Sequence, residues 1–175
     1  MRNSSLKKKF IRTIFIAVGI AAILGVIYPL LIIYTVRTSG KKFVKVMNSH
    51  DLALYDSYFL PDTIFIVNGK SIKYSYIRDK IVDKEFSIRE DSFYAPTDVP
   101  FDTEYMDYFK KTEFEIGLHG GMILKYGDRD VEVVIDGILV LKRYGLNLRA
   151  KEVHLADITD ESLEQYKAYE YMFSD

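Results

Sequence analysis

From Thr13 to Val36 the chain runs 24 residues without a charged side chain, and its apolar positions follow no helical or strand period. Fourteen of them are Ile, Leu, Val or Phe. A helix apolar on every face has no polar side to turn to water, so this pattern predicts a span rather than an amphipathic core helix. At a rise of about 1.5 Å per residue the stretch reaches about 36 Å, enough to cross a hydrocarbon layer of about 30 Å. Pro29 predicts a kink, and Tyr28 and Tyr34 suit a membrane–water interface.

Periodic patterns replace the uniform one beyond residue 42. Phe43, Val44 and Met47, then Leu52, Tyr55, Tyr58 and Phe59, have helical spacing and predict two short helices. The turn between them holds Asn48, Ser49, His50 and Asp51, with Ser49 or Asp51 as the cap of the second helix and Pro61 marking its end. Thr63 to Val67 and Ser71 to Tyr74 flank Asn68-Gly69, a pair suited to a tight hairpin because both turn residues need positive φ. Tyr74, Ile77 and Ile81 predict a third helix to about Lys84, followed by extended residues from Phe86 to Tyr94.

Pro96 and Pro100 bracket a loop. Phe114, Ile116 and Leu118 then alternate with polar residues, as do Val131, Val133 and Ile135, which predicts strands. Further strands are expected at Ile138 to Leu141 and Leu146 to Leu155. Gly120-Gly121 reads as a bulge or turn. Asp136-Gly137 reads as a tight hairpin turn or as a glycine inside one long strand, the hairpin being preferred. Thr159, Asp160 and Glu161 open a capped helix running to about Met172.

Charge adds an orientation. Arg2, Lys7, Lys8, Lys9 and Arg12 precede the span without any acid, whereas Arg37, Lys41 and Lys42 follow it. The positive-inside bias places the N-terminal arm in the cytoplasm and the rest across the membrane. The apolar core is longer than that of a cleaved signal peptide, and Arg37-Thr38-Ser39-Gly40 offers no A-x-A site. An uncleaved signal anchor is expected at the cell membrane. The organisation is a cytoplasmic arm over 1–12, a transmembrane helix over 13–36, a linker over 37–42 and one extracytoplasmic domain over 43–175.

Residues 1–42 hold eight of the 24 Lys and Arg and none of the 25 acids, leaving a domain about nine units negative. Such a surface repels phosphate backbones and argues against a nucleic-acid partner. With no cysteine, disulfides, thiolate zinc sites and cysteine nucleophiles are excluded.

The run Ser49-His50-Asp51-Leu52 through Phe59-Leu60-Pro61-Asp62, then Phe65 to Gly69 and Tyr76-Ile77, resembles the helix-to-first-strand part of the cystatin-like, NTF2-like α+β superfamily. The resemblance lies in element order over about residues 43–155. It implies an α+β domain in which a curved antiparallel sheet wraps the helices as a cone. That fold hosts enzymes, ligand binders and structural modules alike, so it carries no activity.

Candidate chemistry is sparse. His50 beside Asp51 offers a base and a carboxylate, but neighbouring helical residues face different directions, and capping explains the pair better. His119 alternates with Glu113 and Glu115, so it would line a pocket on a concave face and water on a convex one. His154 near Glu152 and Asp157 lacks metal-ligand spacing. Asp128, Asp130 and Asp136 with Gly127 lack the EF-hand order and are read as turn residues. No phosphate loop or nucleophile elbow occurs, so no cofactor and no catalytic set is expected.

Two interaction surfaces stand out. Phe101, Tyr105, Tyr108 and Phe109, interspersed with acids, form a candidate partner surface, since tyrosine gives large contact area at small entropic cost. Ala17, Ala21 and Gly25 recur every four residues and would form a close-approach face for a second membrane helix, giving a homodimer. The function expected is a membrane-anchored binding or scaffold module contacting a membrane or envelope protein. The alternative is a small-ligand sensor or enzyme using a cone-shaped pocket, with His119 in it.

Overall fold

One helix, α1 (Arg2–Met47), carries the whole uncharged stretch and continues past it. The computed structural model describes residues 2–67, 69–89 and 111–155 together with Lys167 and Tyr171, with side chains from Phe10 onward. Residues 37–42, expected as a linker, are helical, and the first of the two short helices is the end of α1. Pro29 sits inside α1; it removes only the N–H that would reach Gly25 O, and the helix runs on. Thr35 and Thr38 donate their hydroxyl protons to Leu31 O (2.7 Å) and Tyr34 O (2.9 Å), so these polar groups are satisfied within the helix itself.

α2 (Leu52–Tyr58) begins where Asp51 accepts hydrogen bonds from Ala53 N (2.8 Å) and Leu54 N (3.2 Å), the capping role expected of it. α2 passes directly into β1 (Phe59–Val67), so Pro61 lies within a strand rather than at the helix end. β2 (Lys70–Lys73) pairs back antiparallel with Val67 opposite Lys70. Gly69 takes φ +73° in that two-residue turn, as the Asn-Gly reading requires. α3 (Tyr74–Asp83) buries Tyr74, Ile77 and Ile81, the three predicted positions. β3 (Phe86–Ile88), β4 (Glu113–Tyr126), β5 (Arg129–Tyr144) and β6 (Asn147–His154) complete the described elements.

The strands form one six-stranded sheet in the order β2-β1-β6-β5-β4-β3. It is mixed, not antiparallel: β1 and β6 run parallel, with Ile64 beside Glu152 and Ile66 beside His154. The chain between them is long enough for the crossover that parallel pairing demands. Where the register shifts between Phe59 and Ile64, Thr63 bridges the gap. Its hydroxyl accepts from Leu60 N (2.7 Å) and donates to Ala150 O (2.6 Å).

The two glycine sites differ from expectation. Gly120 and Gly121 lie inside an unbroken β4 ladder, opposite Ile135 and Val134. Asp136-Gly137 is no turn either, since β5 runs through it. A side chain at 137 would place its Cβ 1.9 Å from His154 O, so glycine is required where the end of β6 passes over β5. The β4–β5 turn is Gly127-Asp128, with Gly127 at φ +64°, as expected for these two, whereas Asp130 and Asp136, also read as turn residues, lie in strand β5.

The core lies between the helices and one sheet face. Phe114, Ile116, Leu118, Met122 and Leu124 of β4 meet Val133, Ile135, Leu139 and Leu141 of β5 there. Above them pack Phe43, Met47, Tyr55, Tyr58, Phe59, Phe65 and Tyr74. Phe59 is the hub of the aromatic packing, with ring centroids of Tyr58, Phe65 and Tyr74 each 5.2 Å away.

Candidate functional site

Helix α1 meets two different surroundings along its length. Every described residue from Phe10 to Ile27 is exposed, whichever face it lies on. From Pro29 onward exposure becomes periodic. Pro29, Ile32, Ile33, Val36, Ser39, Gly40, Phe43, Val44 and Met47 are buried, whereas Leu30, Leu31, Tyr34, Arg37, Lys41, Lys42 and Lys45 are exposed. The buried set recurs at three- and four-residue intervals, the stripe of a helix with one face in a core. Ile32 and Val36 join the same apolar cluster as Phe43 and Met47. Between Thr13 and Ile27 the helix is thus uncharged and exposed on every face, and from Pro29 onward it is amphipathic.

This is the one helix among the described residues long and apolar enough to cross a membrane, by length and composition. The uniformly exposed stretch of residues 10–27 spans about 27 Å, close to a hydrocarbon thickness of about 30 Å. Ala17, Ala21 and Gly25 all lie on it, exposed, and a Cβ at Gly25 would meet nothing within 4 Å. Their spacing of four in a continuous helix places them along one face.

The far end of α1 is fastened by side-chain chemistry. Asn48 Nδ2 donates to Ile88 O and its Oδ1 accepts from Ile88 N, both at 2.7 Å. His50, at φ +48°, directs Nε2 to Phe86 O (3.0 Å), and its ring packs at a 60° tilt against the Phe86 ring with centroids 4.7 Å apart. His50 and Asp51 therefore serve separate structural tasks. Adjacent letters in the sequence gave no sign of the distant Phe86 carbonyl.

His119 stands on the sheet face away from the helices, 69 % exposed, with Nδ1 3.7 Å from Oδ1 of the 77 % exposed Asp136. The two are register partners on β4 and β5. Sequence reasoning separated them because their pairing follows from the register set at the Gly127-Asp128 turn, eight residues from each of them. His154 Nε2 lies 3.2 Å from Glu152 Oε2. No group of three His, Asp or Glu placed to hold a metal occurs among the described residues.

Polar groups in and beside the core of the described residues are mostly spent on the fold. Tyr55 Oη donates to Met47 O (2.7 Å), and burial pushes its hydroxyl well above the ordinary phenol range. Tyr74 Oη donates to Asp56 Oδ1 (2.9 Å). Arg78 holds the same carboxylate through Nε (2.8 Å) and Nη2 (2.5 Å), which lowers the Asp56 pKa. Tyr58 Oη is buried with no hydrogen-bond partner among the described residues. The aromatic set Phe101, Tyr105, Tyr108 and Phe109 lies outside the described residues, as does the segment 159–172 expected to be helical, apart from Lys167 and Tyr171.

No protein-family profile and no curated relative matches the chain. Among solved structures it is similar to a variant of "Rd1NTF2_05" (11% identity, TM-score 0.39, covering 66% of this chain and 91% of that one). It is likewise similar to "Rd1NTF2_04 with long sheet" (16%, 0.41, 66% and 94%). A third is an NTF-2 like protein of unknown function from Shewanella oneidensis MR-1 (14%, 0.37, 72% and 97%). The chain's own elements follow the order helix, helix, hairpin, helix and then strands.

Proposed function

We propose that this chain is a single-pass membrane protein whose anchor and whose NTF2-like domain share one helix, and that the domain serves as an extracytoplasmic binding or scaffold module. The observation that carries this reading is the change in α1 from exposure on all faces before Tyr28 to burial of one face after it. Water does not tolerate fifteen successive exposed uncharged residues of this composition, Thr13 to Ile27, whereas hydrocarbon does. The acid-free basic arm ahead of the span supports a cytoplasmic N-terminus.

A binding role is supported over a reaction by where the polar groups sit. Among the described residues the buried side chains are aromatic and aliphatic apart from Ser39 and Thr63, and His119 with Asp136 faces outward on the sheet. The partner sought is another membrane or envelope protein, with Phe101, Tyr105, Tyr108 and Phe109 as the first surface to test. The small-residue face at Ala17, Ala21 and Gly25 would allow two copies to associate within the bilayer.

The experiment is carbonate extraction of the full-length chain from native membranes, followed by crosslinking and recovery of its neighbours. Retention in the membrane pellet is expected, and release into the wash overturns the anchor. Tyr105→Ala with Tyr108→Ala should lose a specific crosslinked neighbour; recovery equal to the parent chain overturns the aromatic surface.

A further inference from the structure

We infer that the tip of the β5–β6 hairpin rests in the headgroup layer of the bilayer crossed by α1, as a second membrane contact selective for anionic lipid. This rests on the anchor reading above. Placement comes first. Tyr28, where α1 passes from full exposure into the core, puts its hydroxyl 3.5 Å from the carbonyl oxygen of Gly145, in the β5–β6 turn. The turn is therefore level with the end of the exposed apolar helix, not out at the far side of the domain. The opposite end of α1 meets β3 through Asn48, so the helix crosses the sheet from this turn toward that edge.

The chemistry of the tip fits that level. Gly145 at φ +65° closes a two-residue turn between the paired Tyr144 and Asn147, leaving Leu146 at its apex. A solvated turn normally carries small or polar residues there. Here Tyr144 is 44% and Leu146 46% exposed. Tyrosine suits the interface because its ring enters the apolar boundary while its hydroxyl stays hydrated. Lys142 Nζ lies 5.9 Å from the Tyr144 ring centroid, which places a cation beside it.

Charge completes the match. Residues 140–150 contain Lys142, Arg143 and Arg149 and no acid, on a domain that is about nine units negative beyond residue 42. Around the other end of β5, residues 127–136 hold Asp128, Asp130, Glu132 and Asp136 against Arg129. The strand thus carries its cations toward the end that abuts the span and its acids away from it. An anionic headgroup layer attracts the first and repels the second.

The chain has no tryptophan, so Tyr144→Trp installs a single reporter at an exposed site. The full-length variant is reconstituted into phosphatidylcholine vesicles, with or without phosphatidylglycerol, carrying lipids brominated either near the glycerol or near the chain end. The expected result is blue-shifted emission quenched more by shallow than by deep bromine, and more with phosphatidylglycerol. Adding Lys142→Gln or Arg149→Gln should weaken the contact about fivefold each. Val134→Trp, about 33 Å along β5, should stay unquenched.

Ile20→Trp reports the span itself and should be quenched by deep bromine. If Ile20→Trp is quenched while Tyr144→Trp is not, the tip contact is wrong and the anchor stands. If neither is quenched, both readings fall. A blue shift at Tyr144→Trp without quenching means a protein has covered the tip, and that result also overturns the inference. Equal quenching in both lipid mixtures removes the anionic selectivity.

Discussion

The Asn48 side chain binds the backbone of Ile88 at both polar atoms, donating to its carbonyl and accepting from its N–H at 2.7 Å each. Forty residues separate the two, and the pair ties the end of α1 to the edge strand β3. Because α1 is continuous back to the uniformly apolar stretch, this clamp fixes the domain to its anchor through one rigid element. Asn48→Ala removes both bonds and leaves a partly buried N–H and C=O without them. A loss of about 2 kcal/mol is expected in thermal or denaturant unfolding of the full chain in detergent. An unchanged midpoint would mean that the clamp is ornamental.

Gly137 and Gly117 offer a matched pair of tests. A Cβ at Gly137 would collide with the His154 backbone, whereas one at Gly117 meets nothing within 4 Å. Gly137→Ala should therefore destabilise by about 3 kcal/mol, because backbone and not a flexible side chain must move. Gly117→Ala should be neutral or slightly stabilising, since glycine weakens a strand interior. Unfolding midpoints of the two variants check the contrast directly.

Tyr55 and Tyr58 lie in the same core with opposite fates for their hydroxyls. Tyr55→Phe loses the bond to Met47 O and should cost about 1 kcal/mol. Tyr58→Phe removes a buried hydroxyl that has no partner among the described residues, so it should leave stability unchanged or raise it. A larger loss at Tyr58 than at Tyr55 would show that the Tyr58 hydroxyl bonds in solution.

Asp56 links α2 to α3 and gives the domain an acid-sensitive joint. Its hydrogen bonds from Arg78, and then from Tyr74, hold its folded pKa below the ordinary value. A depressed carboxylate contributes stability above its unfolded pKa of about 3.9 and loses it as pH falls through the lower folded value. The parent chain should exceed Asp56→Asn in unfolding midpoint at neutral pH, and the gap should close below about pH 4. A gap independent of pH would place the effect elsewhere, and salt should narrow it because the Asp56–Arg78 pair is exposed.

Local patterns in the sequence carried the hairpin at Gly69, the burial of Tyr74, Ile77 and Ile81, and the cap at Asp51. Each depends on residues within one turn of helix or hairpin. The parallel pairing of β1 with β6 was not legible, because it joins segments about ninety residues apart and no local period encodes direction. Asp136-Gly137 looks the same as a hairpin turn until the passage of His154 over the glycine is known. The pairing of His119 with Asp136 needed the register of two long strands. Residues 37–42 read as a linker between span and domain, yet Ser39 and Gly40 are buried on the core face of α1, where small residues let the helix lie close.

The central claim, one helix serving both lipid and core, is tested most directly by single-cysteine scanning of positions 14–47 in the cysteine-free full-length chain, labelled in intact vesicles with a membrane-impermeant maleimide. Complete protection is expected at every position from 14 to 27. Beyond that, labelling should be periodic: strong at 37, 41, 42 and 45, absent at 36, 43, 44 and 47, in step with the exposure of Arg37, Lys41, Lys42 and Lys45. Labelling within 14–27, or uniform labelling from 37 to 47, would contradict the account.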